Sequence, residues 1–244
     1  MKNRIVLFSL LFALLLQGMW LFGQDQTALL DSYSRNFEKS DIRTKLQLIQ
    51  DAAGRNNASL APLFLQAVNW SINLSERGRD ESTIRQMCLV AVAQIEKWNH
   101  ADARMPIWKL FIMDKDSNIR ANILKAIAVI GKEDRDLAGQ INIWLDEQNQ
   151  IFSTGKQPQI TVIAQCVKTL GALNQDSSFQ VVFNAMNAGY SNEVSALCRG
   201  VLLKLEGDFK ALLLSIIASG TMKERRQALD LALENTAMSD ADKG

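Results

Sequence analysis

Asp116-Ser117-Asn118-Ile119-Arg120-Ala121-Asn122-Ile123-Leu124-Lys125-Ala126-Ile127-Ala128-Val129-Ile130-Gly131 contains a complete set of helix signals. Asp116 and Ser117 are side chains that accept hydrogen bonds from the free N–H groups of a first turn. Ile119, Ile123, Ala126, Ile127 and Ile130 recur at the spacing that lines one face of a 3.6-residue helix, and Gly131 supplies a stop. The stretch therefore reads as an amphipathic helix with both ends marked, and related stretches recur on either side of it.

Upstream, Asp41 caps a helix with the face Ile42, Leu46, Ile49 and Ala53, stopped by Gly54. A partner helix follows from about Leu60 to Leu74, with Pro62 in its first turn, where a missing N–H costs little. The next pair has Ile84, Met87, Cys88, Ala91 and Ile95 on one face. After the turn at Trp98 to Ala101, Asp102 is expected to cap a helix that ends at Met113. Downstream, a helix from Asp134 to about Phe152 partners the opening stretch. Ile160, Ile163, Ala164, Val167 and Leu170, stopped by Gly171, then precede a helix from Ser177 to Ala188. A fifth pair has Val194, Leu197, Cys198, Val201, Leu202 and Leu205, then Gly207, then Phe209 to Ala218. A last helix, Lys223 to Glu234, has Ala228, Leu229, Ala232 and Leu233 as its apolar face and no partner after it.

The anchors Ile42, Ile84, Ile119, Ile160 and Val194 are 42, 35, 41 and 34 residues apart, a degenerate period of two helices per unit. Each unit leaves an apolar face that a stacked neighbour would cover. The starts Ile42-Arg43, Ile84-Arg85 and Ile119-Arg120, with Gly54 and Gly131 each twelve residues after their anchors, resemble the first helices of HEAT-type repeats. Thr161 and Ser195 replace that arginine in the last two units. The resemblance covers Asp41 to Glu234; tetratricopeptide units would need Trp, Leu-Gly and Tyr spacings that are absent. It implies an all-α architecture, an α-solenoid of about five two-helix repeats plus a terminal helix, that binds protein partners along a curved surface.

The N-terminus adds an address. Lys2 and Arg4 precede the apolar run Ile5 to Leu16, Gln17-Gly18 interrupts it, and Gln24-Asp25-Gln26 is polar, the order of an export signal. The expected divisions are a signal peptide at 1–23, a polar lead-in at 24–40 with a short helix at Leu29 to Phe37, the HEAT-like region at 41–235 and a polar tail at 236–244. An uncleaved anchor is the alternative, because Ile5 to Phe22 is 18 residues long, near the minimum for a hydrocarbon core of about 30 Å. No cysteine lies near the boundary, which disfavours a lipoprotein. The sequons Asn69-Trp70-Ser71 and Asn73-Leu74-Ser75 fall in a dense apolar helix, where a glycan would obstruct packing. The periplasm of a bacterium is therefore favoured over a eukaryotic secretory route.

Composition and motifs exclude several kinds of function. Lys plus Arg is 27 and Asp plus Glu is 26, so no basic excess exists for nucleic acid or anionic lipid, and cleavage would remove two of the cations. With a single histidine, His100, any site needing two imidazoles is excluded, and no nucleophile-elbow motif stands beside it. Asp114-Lys115-Asp116-Ser117-Asn118 imitates the start of a calcium loop, but Ile119 and Lys125 occupy the places of its glycine and glutamate. Gly155-Lys156-Gln157 lacks the remainder of a phosphate loop. Cys88, Cys166 and Cys198 read as small core residues, with Cys166 to Cys198 the one pairing that helix spacing allows. No catalytic, cofactor or metal site is expected.

What remains is a surface. Trp70, Trp108 and Trp144 fall on second helices, 28, 24 and 25 residues after their anchors. They are either groove side chains that grip a peptide or core residues, since Trp70 follows Leu63 and Ala67 while Trp144 follows Leu137 and Ile141 on apolar stripes. The asparagine that armadillo proteins place four residues after such a tryptophan is absent: Leu74, Ile112 and Gln148 stand there. The candidate partner-binding residues are Trp70, Trp108, Lys109, Asn142, Trp144 and Glu147. The expected function is a periplasmic scaffold for a protein partner in the cell envelope, touching membrane only if the leader is retained. The alternatives are a tethered spacer and a HEAT-like lyase-type enzyme, whose convergent carboxylates the sequence does not show.

Overall fold

Every regular element among the described residues is helical, because the sequence alternates 3.6-period apolar stripes with short turns and contains no period-2 run. A computed structural model describes residues 27–79 and 81–234. The expected signal segment at 1–23 and the tail at 236–244 lie outside them. No described helix is long and apolar enough to cross a membrane.

The chain divides into two compact units, Met1–Trp98 and Asn99–Gly244. The first contains α1 (27–39), α2 (Ile42–Gly54), α3 (Ala61–Ile72), the single turn α4 (Glu76–Arg79) and α5 (Ser82–Lys97). The second contains α6 (Arg104–Met113), α7 (Ser117–Ile130), α8 (Arg135–Ser153), α9 (Ile160–Leu173), α10 (Phe179–Ala188), α11 (Asn192–Leu202), α12 (Lys210–Ser219) and α13 (Met222–Glu234).

In the first unit α5 packs against both α2 and α3. The buried Cys88 on α5 lies against α3, its thiol 3.2 Å from the Ser71 hydroxyl. In the second unit α7, α9 and α11 pack in succession, α8 packs on α10, and α6, α8, α10 and α12 each pack on the helix that follows. The α7–α9 seam buries Thr169, whose hydroxyl donates to the Leu124 carbonyl at 2.8 Å. At the α9–α11 seam a Cβ on Gly171 would stand 2.9 Å from Val201, so a glycine is what permits this approach. Gly171 is therefore a packing residue and not the helix stop expected from the sequence. The helix runs on to Leu173 and ends at Asn174 in the left-handed region, φ 51°.

The helix starts follow the sequence. N–H groups of Thr44, Asn118 and Ile119, Leu137 and Val194 donate to the side chains of Asp41, Asp116, Asp134 and Ser191 at 2.9–3.1 Å. Asp102 departs from its expected role. It sits in a 3-10 turn, Ala101–Ala103, and α6 begins after it without a side-chain cap. Similar turns precede α3 and α10.

The helix ends are served by side chains that reach back from the next element, satisfying carbonyls that have no intrahelical donor. Lys45 on α2 donates to the carbonyls of Phe37, Glu38 and Ser40 at the end of α1. Arg79 donates to Leu74 beyond α3, and Arg120 on α7 to Phe111 of α6. Ser195 on α11 does the same for Met186 of α10 at 3.1 Å, and Arg225 on α13 for Ala218 and Gly220 at the end of α12. Ser195, which stands where earlier units have arginine, thus bonds a carbonyl of the preceding helix as Arg120 does.

Candidate partner-binding face

The six residues singled out by the sequence divide between core and surface. Trp70 is half-buried on α3, its ring meeting Phe37 edge-on at 6.2 Å between centroids, with the Lys45 ammonium 5.4 Å from its centre. Trp108 and Trp144 are 4% and 6% exposed. Phe111 joins them, stacked on Trp108 at 4.8 Å and edge-to-face with Trp144 at 4.9 Å. The Arg120 guanidinium lies 4.7 Å from the Phe111 centroid and 5.6 Å from that of Trp144. Burial holds Arg120 below the ordinary arginine value, although Asp114 nearby opposes the shift. These two tryptophans are therefore core residues that fix α6 and α8 to the start of α7, and they offer little area to a partner.

Lys109 and Glu147 are exposed, while Asn142 is half-buried with its amide nitrogen 3.5 Å from the Ser177 hydroxyl. The sequence did not single out the apolar side chains beside them. Met105 and Ile112 on α6 are 49% and 50% exposed, and Ile143 and Ile151 on α8 are 63% and 40% exposed. Met105, Lys109 and Ile112 follow i, i+4, i+7 spacing, and Ile143, Glu147 and Ile151 follow i, i+4, i+8, so each triplet lines one helix face. Both faces lie away from the rows that α6 and α8 bury, Ile107, Trp108, Leu110 and Phe111 on one and Leu137, Ala138, Ile141, Trp144 and Leu145 on the other. The signal was present: Ile143 falls between Asn142 and Trp144, off the buried stripe. A large β-branched side chain in that register has no core to fill.

The remaining chemistry is quiet. All three cysteines are free and buried. Burial pushes the Cys198 thiol up to about 12, and Cys166, with Cys198 near it, is raised further, so both stay protonated at neutral pH. Burial also raises Tyr190, whose hydroxyl donates to Asn149 at 2.9 Å. Among the described residues no three His, Cys, Asp or Glu side chains are grouped to hold a metal ion. Apolar contact flanked by one cation and one anion is what the α6 and α8 faces can offer. In comparisons with known proteins, no family model, no curated protein and no solved structure matches this chain.

Proposed function

We propose that the chain is an exported, HEAT-like α-solenoid that binds a protein partner in the bacterial cell envelope, with no bond chemistry of its own. The observation that carries this reading is a pair of exposed apolar faces, Met105 and Ile112 with Lys109 on α6 and Ile143 and Ile151 with Glu147 on α8. Scattered apolar side chains on a surface need no explanation, but large ones repeated in register on two helices joined by shared aromatic packing do. Protein interfaces use such a centre, rimmed by charge. In this reading Trp108 and Trp144 act beneath the surface, holding the two faces in place, and the half-buried Trp70 packs on Phe37 in the first unit.

Affinity capture from envelope extracts of the source organism tests it, with the wild-type chain and an Ile112→Asp, Ile143→Asp double variant as baits. Both positions are exposed, so the expected change in stability is about 0.5 kcal/mol or less per site. The expected result is one stoichiometric protein held by wild type and held at least about tenfold more weakly by the variant. Equal recovery by both baits would sink the proposed face. The segment Ile5 to Phe22, 18 residues without a charge, supports a second reading, a tethered spacer. N-terminal sequencing of the exported protein separates the two. A start near Gln24 is expected for the released scaffold, and retention of Met1 would establish the tether.

A further inference from the structure

We propose that α13 is the contact helix of a homodimer, in which two copies of Met222–Glu234 pack antiparallel across Met222, Arg226, Leu229 and Leu233. The sequence pattern assigns Ala228, Leu229, Ala232 and Leu233 to one apolar face. The structure divides them: Ala228 and Ala232 turn into the unit together with Leu231, and Leu229 and Leu233 turn out. With Met222 and Arg226 they form a row at i, i+4, i+7, i+11, in which Met222 is 81%, Leu229 48% and Leu233 54% exposed. The helix carrying this row is firmly started. The Thr221 N–H and hydroxyl both donate to Glu224 at 2.7 and 2.8 Å, and the Glu224 N–H reaches back to Thr221, a reciprocal cap.

Charge selects the occupant. The N-terminal half of α13 is basic, with Lys223, Arg225 and Arg226, and the C-terminal half carries Asp230 and Glu234. Several of these are engaged at home: Lys223 donates to the Asn187 carbonyl, Arg225 to Gly220 and Ala218, and Glu234 pairs with Arg199. Among the described residues neither Arg226 nor Asp230 has an ion-pair partner. A second α13 laid antiparallel, with the two-fold axis crossing at the level of residue 228, sets Arg226 of each copy against Asp230 of the other. Met222 then meets Leu233, and the methylene stem of Arg226 covers Leu229. A parallel arrangement would oppose like charges. One row thus supplies both halves of an isologous contact, as closed two-fold symmetry requires.

Sedimentation analysis of the full chain tests the pairing, with circular dichroism to confirm that each variant keeps its helix content. Wild type is expected to be a dimer. Arg226→Glu and Asp230→Arg, each of which creates like-charge contacts across the axis, are expected to weaken dimerisation at least about tenfold. The double exchange is expected to restore it, and because residues 226 and 230 are also i, i+4 neighbours on one helix, the rescue reports on the contact when the single variants keep wild-type helix content. A wild-type monomer would overturn the proposal and leave the row to residues 235–244 or to another protein. A dimer indifferent to both single changes would also overturn it, placing association elsewhere, as in the apolar run Ile5 to Leu16. Failure of the double exchange to restore the dimer would rule out the antiparallel register.

Discussion

Replacing Phe111 with alanine is expected to lower the stability of the Asn99–Gly244 unit by about 3–5 kcal/mol, the range for deleting a buried aromatic ring. The upper end is expected, because the ring is the shared neighbour of two other rings and a guanidinium. Trp108 stacks on it, Trp144 meets it edge-on and the Arg120 guanidinium lies against it. Each aromatic pair contributes about 0.5–1.5 kcal/mol beyond the area it buries. Removing the ring also uncovers the side of a charged group that burial already penalises. Phe111→Leu, which keeps most of the volume and loses the ring contacts, is expected to cost about half as much. Urea unfolding followed by tryptophan emission is the measurement, with Lys109→Ala and Glu147→Ala as exposed controls. A loss below about 1 kcal/mol for Phe111→Ala would mean that the cluster is not a keystone of the unit.

The sequence made Asp41, Asp116, Asp134 and Ser191 legible as helix caps, because capping depends on residues within three positions of each other. It also made the buried stripe of α7 legible residue by residue: Ile119, Ile123, Ala126, Ile127 and Ile130 are all buried. What it could not show depends on contacts across long separations. Gly171 reads locally as a stop, yet the helix continues to Leu173, and the glycine is accounted for by Val201 on another helix, which a Cβ would crowd. Lys45 lies one residue before Leu46 of the apolar stripe and is 3% exposed, although nothing in that periodicity marks a lysine as buried. The partners that make its burial tolerable are carbonyls at the end of the preceding helix, and no periodicity encodes them.

The candidate face was legible in part for the same reason. Tryptophan at a repeated position marks a place where two helices must be held at a fixed spacing, which is equally a requirement of a core and of a groove. Burial decides between them, and it assigns Trp108 and Trp144 to the core. Lys109 and Glu147 were legible as candidates because each is polar, one residue after Trp108 and three residues after Trp144 respectively. Ile112, Ile143 and Ile151 became informative only once α6 and α8 had buried their full complement without them.

Lys45→Met is expected to destabilise the Met1–Trp98 unit by about 2–3 kcal/mol, although methionine is more hydrophobic and nearly the same length. Exchanging a buried ion pair for apolar side chains is often neutral, because both charged partners leave together. Here only the donor leaves. The carbonyls of Phe37, Glu38 and Ser40 are backbone groups at the end of α1 and remain where they are, and the Phe37 contact is buried. An acceptor left unpaired in such a place costs about 1–3 kcal/mol. The ammonium also faces the rings of Phe37 and Trp70, 4.9 and 5.4 Å from their centroids, so a cation–π contribution of about 1 kcal/mol is lost with it. Against these losses stands the relief of desolvating a charge, which holds Lys45 below its ordinary pKa and keeps the expected net below the simple sum. Urea unfolding of wild type, Lys45→Met and the exposed control Arg43→Met measures the difference, and amide exchange in α1 locates it. If Lys45→Met matches the control, the three carbonyl bonds contribute nothing net, and α1 is held to its unit by its remaining contacts, the buried Tyr33 and Phe37 rings and the Tyr33 hydroxyl bonded to Asp51 and Arg55.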